Sequence, residues 1–175
     1  MITTERLVLR PWRAEDREPY AAMMIDPRVG DWLGGGFSRD DALTQVDRFE
    51  AQLEAVGVSY MAMERRADGV FLGAAGVTPF RDTHPLAPGF EVGWRLTHAA
   101  WGNGYAAEAA RAVLTDGFER LALSEILACT AVSHTRSRAV MERLGLRRDE
   151  SRDFDHPALA VDHPLRRHVV YTAIP

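Results

Sequence analysis

Trp101-Gly102-Asn103-Gly104-Tyr105-Ala106-Ala107-Glu108 carries the chain from a strand, through two glycines, into an alanine-rich helix. The first-turn amides of such a helix have no intrahelical partner and lie at the positive end of its dipole. Glycines let a ligand approach the backbone without meeting a Cβ. A turn of this kind holds a pyrophosphate with no help from lysine. A glycine-rich helix entry without a ligand looks the same, and short glycine patterns match by chance.

Lysine is absent from the chain: all 21 basic residues are arginine. A Walker-type loop and lysine Schiff-base chemistry are therefore excluded. Gly102, Gly104 and Ala107 also fit, loosely, the G-x-G-x-x-A dinucleotide fingerprint. That fingerprint follows directly on an apolar first strand. Here Leu96 to Trp101 intervenes, the preceding strand carries Glu91 and Arg95, and too little chain remains downstream for the sheet. A Rossmann fold is not expected.

Outward from the turn, alternation and breakers predict the other elements. Leu7–Leu9 reads as a strand closed by Pro11, and Ala14 to Ile25 as a helix stopped by Asp26-Pro27. Ser38 is an N-cap with Asp41 three residues on. The helix behind it places Ala42, Val46, Phe49, Leu53 and Val56 on one face. Val58–Glu64 and Val70–Thr78 form a hairpin, and Phe90–Leu96 is a strand. Helix to about Leu121, strand Glu125–Val132, helix Thr135–Leu144, strand Leu146–Phe154 and strand Arg167–Ala173 complete the chain. This order predicts a mixed sheet with helices on both faces.

The 175 residues suffice for one domain, 1–175, with its own core. Net charge is -4 and the pI about 5.9, which argues against a nucleic-acid binder held by bulk charge. Cys129 is the single cysteine, so no internal disulfide forms and a reducing compartment fits. The first residues lack the apolar core of a signal peptide, and no apolar run reaches ~18 residues. A cytoplasmic protein without membrane contact is expected.

The turn and its neighbours resemble motif A of the GNAT N-acetyltransferase superfamily, which binds acetyl-coenzyme A. Gly104 and Ala106 fill its last two fixed positions, and Trp101 stands where Gln or Arg is usual. Trp101 to Ala109 is similar to the RimJ/RimL-like branch, as are Thr4–Arg10 for its opening strand and Glu91–Leu96 for its fourth. Ser137 to Leu146 resembles its motif B. The resemblance implies an α/β (α+β) single-domain GNAT fold: a mostly antiparallel sheet of about seven strands, with about four helices flanking it. The sheet should splay between its fourth and fifth strands, the 90–96 and 125–132 segments.

The same likeness implies acetyl transfer from acetyl-CoA to a primary amine by direct attack in a ternary complex. It puts the pyrophosphate on amides of Gly102, Asn103, Gly104, Tyr105 and Ala106, and the pantetheine along Trp94, Arg95 and Leu96. Trp101 and Met141 belong to the same site. Arg138 reaches a coenzyme phosphate or is a solvated helix residue. Glu91 shares a strand face with Gly93 and Arg95; it is the expected base, beside space that Gly93 leaves for substrate, or an ion-pair partner of Arg95. Met141 occupies the position where many family members carry an acidic Tyr. The acid then rests between Ser137, His134 and solvent, with His134 able to exchange a proton near neutral pH.

Trp32, Phe37 and the Gly34–Gly36 loop are expected to wall the acceptor pocket. His84, His98, His156, His163 and His168 show no metal-ligand spacing, so no metal is expected. The acceptor is a small molecule, an amino acid or a protein N-terminus, and a homodimer is compatible with the likeness. A non-catalytic acyl-CoA-binding module on the same fold is the alternative, motivated by His134 and Met141.

Overall fold

A computed structural model describes all 175 residues. In chain order the elements are β1 Ile2–Thr3, β2 Leu7–Arg10, α1 Arg17–Ile25, α2 Pro27–Gly30 and α3 Arg39–Val56. Then come β3 Tyr60–Arg65, β4 Phe71–Pro79, β5 Phe90–Leu96, α4 Tyr105–Glu119, β6 Ile126–Ala131 and α5 Thr135–Arg143. Three strands, β7 Arg147–Arg148, β8 Phe154–Asp155 and β9 Arg167–Ala173, close the chain.

Nine strands form one open sheet in the order β1-β2-β3-β4-β5-β6-β9-β7, with β8 also on β9. Every neighbouring pair is antiparallel except β5–β6. That parallel contact consists of a single registered pair, Glu91 with Leu127. The chain reaches β6 through the α4 crossover, as a parallel neighbour requires. Beyond Glu91 the two strands separate, and this is the expected splay.

The sheet is covered on both faces. Trp12, Tyr20, Met24, Val46 and Tyr60 lie in the core beneath α1 and α3. Leu9, Val92, Ala110, Val113, Met141 and Tyr171 lie in the core beneath α4 and α5. α3 starts where Ser38 caps it: Ser38 Oγ accepts from Asp41 N at 3.1 Å, and Asp41 accepts from Ser38 N at 3.0 Å. Asp performs the reciprocal half of a capping box despite its short arm.

Three features differ from the sequence expectation of seven strands and four helices. β1 adds two residues by pairing with Leu9 and Val8. Asp26-Pro27 ends α1 but also starts α2: the Asp26 carboxylate accepts from Arg28 N at 3.0 Å, and Pro27 supplies a preset first helical residue. The strand expected over Leu146–Phe154 is broken into β7 and β8. Asp149 accepts from Ser151 N at 3.2 Å and turns residues 150–152 into a 3-10 helix. Asp153 then takes the amide of Val170 at 3.2 Å in place of a ladder bond. No helix is long and apolar enough to cross a membrane.

Candidate active site

The splay opens two cavities that meet. The first has a volume of about 390 Å3 and runs from the mouth of the splay to the start of α4. Trp94, Arg95, Leu96, Trp101, Gly102, Gly104, Tyr105, Ala106, His134 and Ser137 line it, together with residues of α2 and α5. Gly104 caps α4 with φ +80, a left-handed conformation that favours glycine, and no side chain closes the helix end. The amides from Gly102 to Ala106 donate to no protein acceptor, and the first bond of the helix is Glu108 N to Gly104 O at 3.1 Å. Arg6 fixes the turn from below. It donates to Asn103 O at 3.0 Å, pairs with Glu108 at 2.7 Å and covers the Tyr105 ring at 4.9 Å. Trp101 Nε1 donates to Leu96 O at 3.0 Å and ties the end of β5 to the turn.

Three residues expected at the coenzyme lie outside this cavity. The Asn103 side chain turns back to Trp101 O at 3.0 Å. Arg138 donates to Val132 O at 3.1 Å and Tyr171 Oη at 3.4 Å, on the far side of α5. Met141 is 2% exposed and contributes to the second cavity. Besides Arg95, the cations that line the coenzyme cavity are Arg136 and Arg143. Neither has a carboxylate within 4.0 Å, and Arg136 lies 4.9 Å over the Trp101 ring. Helical phase was the readable signal. Arg136, Val140 and Arg143 follow i, i+4, i+7 and face one way, whereas Arg138 falls two residues off that stripe.

The second cavity, about 520 Å3, lies farther along β5, towards Glu91. Glu91, Gly93, Arg95, Trp32 and Phe37 line it, along with Cys129, Tyr60, His84, His156 and His168. Glu91 does not pair with Arg95. Its Oε1 accepts from Cys129 Sγ at 2.9 Å, across the β5–β6 contact. Burial pushes the Glu91 carboxyl up from its ordinary value, while the Cys129 bond and the Arg95 charge pull it back in part. Burial, reinforced by Glu91, pushes the Cys129 thiol well up, so it stays protonated and serves as a donor.

The space expected beside Gly93 is filled. Tyr60, Gly76 and Gly93 lie in register across β3, β4 and β5. The Tyr60 side chain crosses the sheet over Gly76, and its Oη would lie 1.7 Å from a Cβ at position 93. Tyr60 thus stands between Glu91 and Arg95. Burial raises its phenol far above the ordinary value, so it is a hydroxyl donor. Arg95 turns away from Glu91, donating to Tyr20 Oη at 2.6 Å and to Gln45 Oε1.

Trp32, Leu33, Trp94, Arg95, His134 and Ser137 line both cavities and mark their junction. His134 stacks on Trp32 with ring centroids 4.3 Å apart, and its Nδ1 lies 3.1 Å from Thr130 Oγ1. Burial, then the Arg136 charge, lowers its pKa to about 4. The imidazole is therefore neutral at pH 7, and the expected proton exchange near neutrality is withdrawn. Ser137 is 8% exposed and opens on the junction from the first turn of α5. Of the other histidines, His84, His156 and His168 gather at the second cavity, the last two with ring centroids 5.0 Å apart. His84 and His156 accept backbone amides at Nδ1, from Leu86 at 3.1 Å and Ala158 at 3.3 Å, and burial lowers both pKa values. His163 accepts the Leu165 amide at 3.1 Å, and His98 lies 3.3 Å from Arg28 Nη1.

Comparison with known proteins agrees with this fold. Residues 6–147 match the Acetyltransferase (GNAT) domain family. The FsC-acetyl coenzyme A-N(2)-transacetylase of Aspergillus fumigatus is 32% identical over 149 residues, spanning 82% of this chain and 63% of that protein. The N-acetyltransferase YoaA of Bacillus subtilis is 25% identical over 151 residues, spanning 85% and 84% of the two chains. The crystal structure of an acetyltransferase from Agrobacterium tumefaciens str. C58, 28% identical, superposes with a TM-score of 0.81 over 99% of this chain and 94% of that one. The chain belongs to the GNAT acetyltransferase family and is an N-acetyltransferase with acetyl-CoA as co-substrate.

Proposed function

We propose that the protein acetylates a primary amine in a ternary complex, coenzyme and acceptor entering the two cavities and meeting at their shared junction. The observation that carries this reading is the junction itself, where Ser137 and the β5 backbone face both cavities and Glu91 lines the acceptor side. The pyrophosphate takes the free amides from Gly102 to Ala106. Arg136 and Arg143 take phosphate charge at the mouth. The pantetheine lies along the unpaired edge of β5 at Trp94–Leu96, as an added strand would.

The ammonium form of an amine cannot attack a thioester. Glu91 accepts its proton, directly or through one water. The neutral nitrogen adds to the carbonyl carbon, and a backbone N–H of β5 holds the developing oxyanion. Collapse breaks the carbon–sulfur bond; the second proton leaves the nitrogen and reaches the departing thiolate by way of solvent, while the Ser137 hydroxyl supports that sulfur. His134, neutral and stacked on Trp32, shapes the junction instead of donating a proton. Within the family, the run Trp101–Ala109 and the Ser137 position support placing the chain beside RimJ/RimL-like enzymes. The single half-buried Cys129 suits a reducing compartment, the cytoplasm.

Thiol release from acetyl-CoA in the presence of an amine panel is the direct test. Coenzyme binding without thiol release across the panel would favour the non-catalytic module instead. The phosphate assignment has its own check. Arg136→Gln and Arg143→Gln should each weaken coenzyme binding about fivefold, the weight of one partly exposed charge contact, and the loss should shrink in high salt. Titration calorimetry at two ionic strengths reads this; an Arg138→Gln change of the same size would reassign the phosphate.

A further inference from the structure

The acceptor cavity has the opposite charge balance from the chain. The protein has 25 acidic residues against 21 arginines. Yet the formally charged side chains lining the cavity are Arg81, Arg95 and Glu91, with no aspartate among them. Arg81 lies on an exposed loop, so it contributes field more than a fixed contact. Arg95 is the built feature.

Its guanidinium is half-buried, 5.2 Å over the Tyr60 ring and 5.7 Å over the Phe49 ring. Nη1 donates to Tyr20 Oη at 2.6 Å and to Gln45 Oε1. No carboxylate lies within 4.0 Å. A guanidinium has five N–H donors, and Tyr20 and Gln45 engage only those on Nη1. The donors on Nε and Nη2 meet no protein acceptor, and Arg95 lines the open cavity. A half-buried cation without a counter-ion is unfavourable, and a carboxylate satisfies it in bidentate geometry. Arg95 shares the strand face of Glu91, four residues and about 13 Å away between Cα atoms. The Tyr60 hydroxyl lies between them as a further donor.

We infer that the acceptor is an amino carboxylate: its amine is delivered to the junction beside Glu91 and its carboxylate is bound by Arg95, with the Tyr60 hydroxyl at its side. This rests on the acetyltransferase reading. The test compares kcat and KM for amino acids with those for their carboxamides, which differ in that one charge. Glycine, β-alanine, 4-aminobutyrate and a set of L-α-amino acids, each paired with its amide, grade the span as well. In the wild type the best acid should exceed its amide in kcat/KM by about 30-fold, mainly through KM, as expected for a charge-assisted bond of that strength. Arg95→Gln should bring the ratio close to one. Arg95→Lys, which keeps the charge and spares the fold, should retain part of it.

Amides used as well as acids by the wild type would overturn the inference while leaving the transferase reading intact. A ratio unchanged in Arg95→Gln, with coenzyme affinity reduced instead, would assign the guanidinium to the coenzyme and also overturn it. Thiol release with peptides or other amines but with none of these acids would overturn this inference alone; release with none of the amines would overturn the ternary-complex reading with it.

Discussion

Glu91→Gln should lower kcat by about a thousandfold, the usual range for a positioned general base, while leaving the coenzyme dissociation constant within about twofold of the wild type. The amide is nearly isosteric and still accepts from Cys129, whose Sγ lies 2.9 Å from the carboxylate. What is lost is the capacity to take a proton. The pH profile gives an independent check. Burial raises the Glu91 pKa, and a base works in its ionised form, so the acidic limb of kcat/KM should lie above the ordinary glutamate value of 4.5. The Cys129 thiol holds that limb down by donating to the ionised form. Cys129→Ala should therefore move the limb to higher pH, and Cys129→Ser should move it back. Near-wild-type turnover in Glu91→Gln, or a limb that ignores Cys129, would remove Glu91 from the proton transfer.

Gly93→Ala should destabilise the fold by about 3 kcal/mol, the cost of overpacking a close contact, and depress acceptor turnover with it. The new Cβ would lie 1.7 Å from Tyr60 Oη and 2.7 Å from Cζ, so the ring must leave its track across the sheet. Tyr60 packs there against Phe49 with ring centroids 5.0 Å apart and covers the Arg95 guanidinium, so its displacement disturbs both. In a Tyr60→Phe background the worst overlap is gone and the remaining approach is that 2.7 Å carbon contact. The penalty of Gly93→Ala should then fall by about half, a coupling that a double-mutant cycle in denaturant measures. Strict additivity of the two substitutions would mean that the ring does not depend on the glycine.

The sequence exposed what local rules govern. Phe90–Leu96 alternates in sequence, Arg167–Ala173 is a strand buried over its last five residues, and both are found with those bounds. Ser38 with Asp41 marked the start of α3, and the glycines at 102 and 104 marked the start of α4. The strand expected over Leu146–Phe154 failed because Asp149, Ser151 and Asp153 offer the backbone side-chain partners, a turn signal that apolar alternation obscured. The site divided in the same way. Residues on β5 and around the glycine turn line the cavities because strand and helix ends are local features. Tyr60 over Gly93 follows from a register across three strands, and Cys129 beside Glu91 follows from the β5–β6 contact. Neither is encoded within any one window of sequence. Arg136 and Arg143 were within reach, since helical phase alone separates them from Arg138.

The lone rung between β5 and β6 has a consequence for cooperativity. Five strands lie on one side of it and four on the other, and along the sheet only the Glu91–Leu127 pair stitches them. In the apo protein these two blocks should open as separate units under native conditions, each with its own opening free energy. A coenzyme lying along the β5 edge and touching α5 would clasp them and be bound most weakly by a chain in which either block is open. Hydrogen exchange should accordingly report two classes of slow amides without acetyl-CoA and one common class with it, the merged class slowing as coenzyme concentration rises.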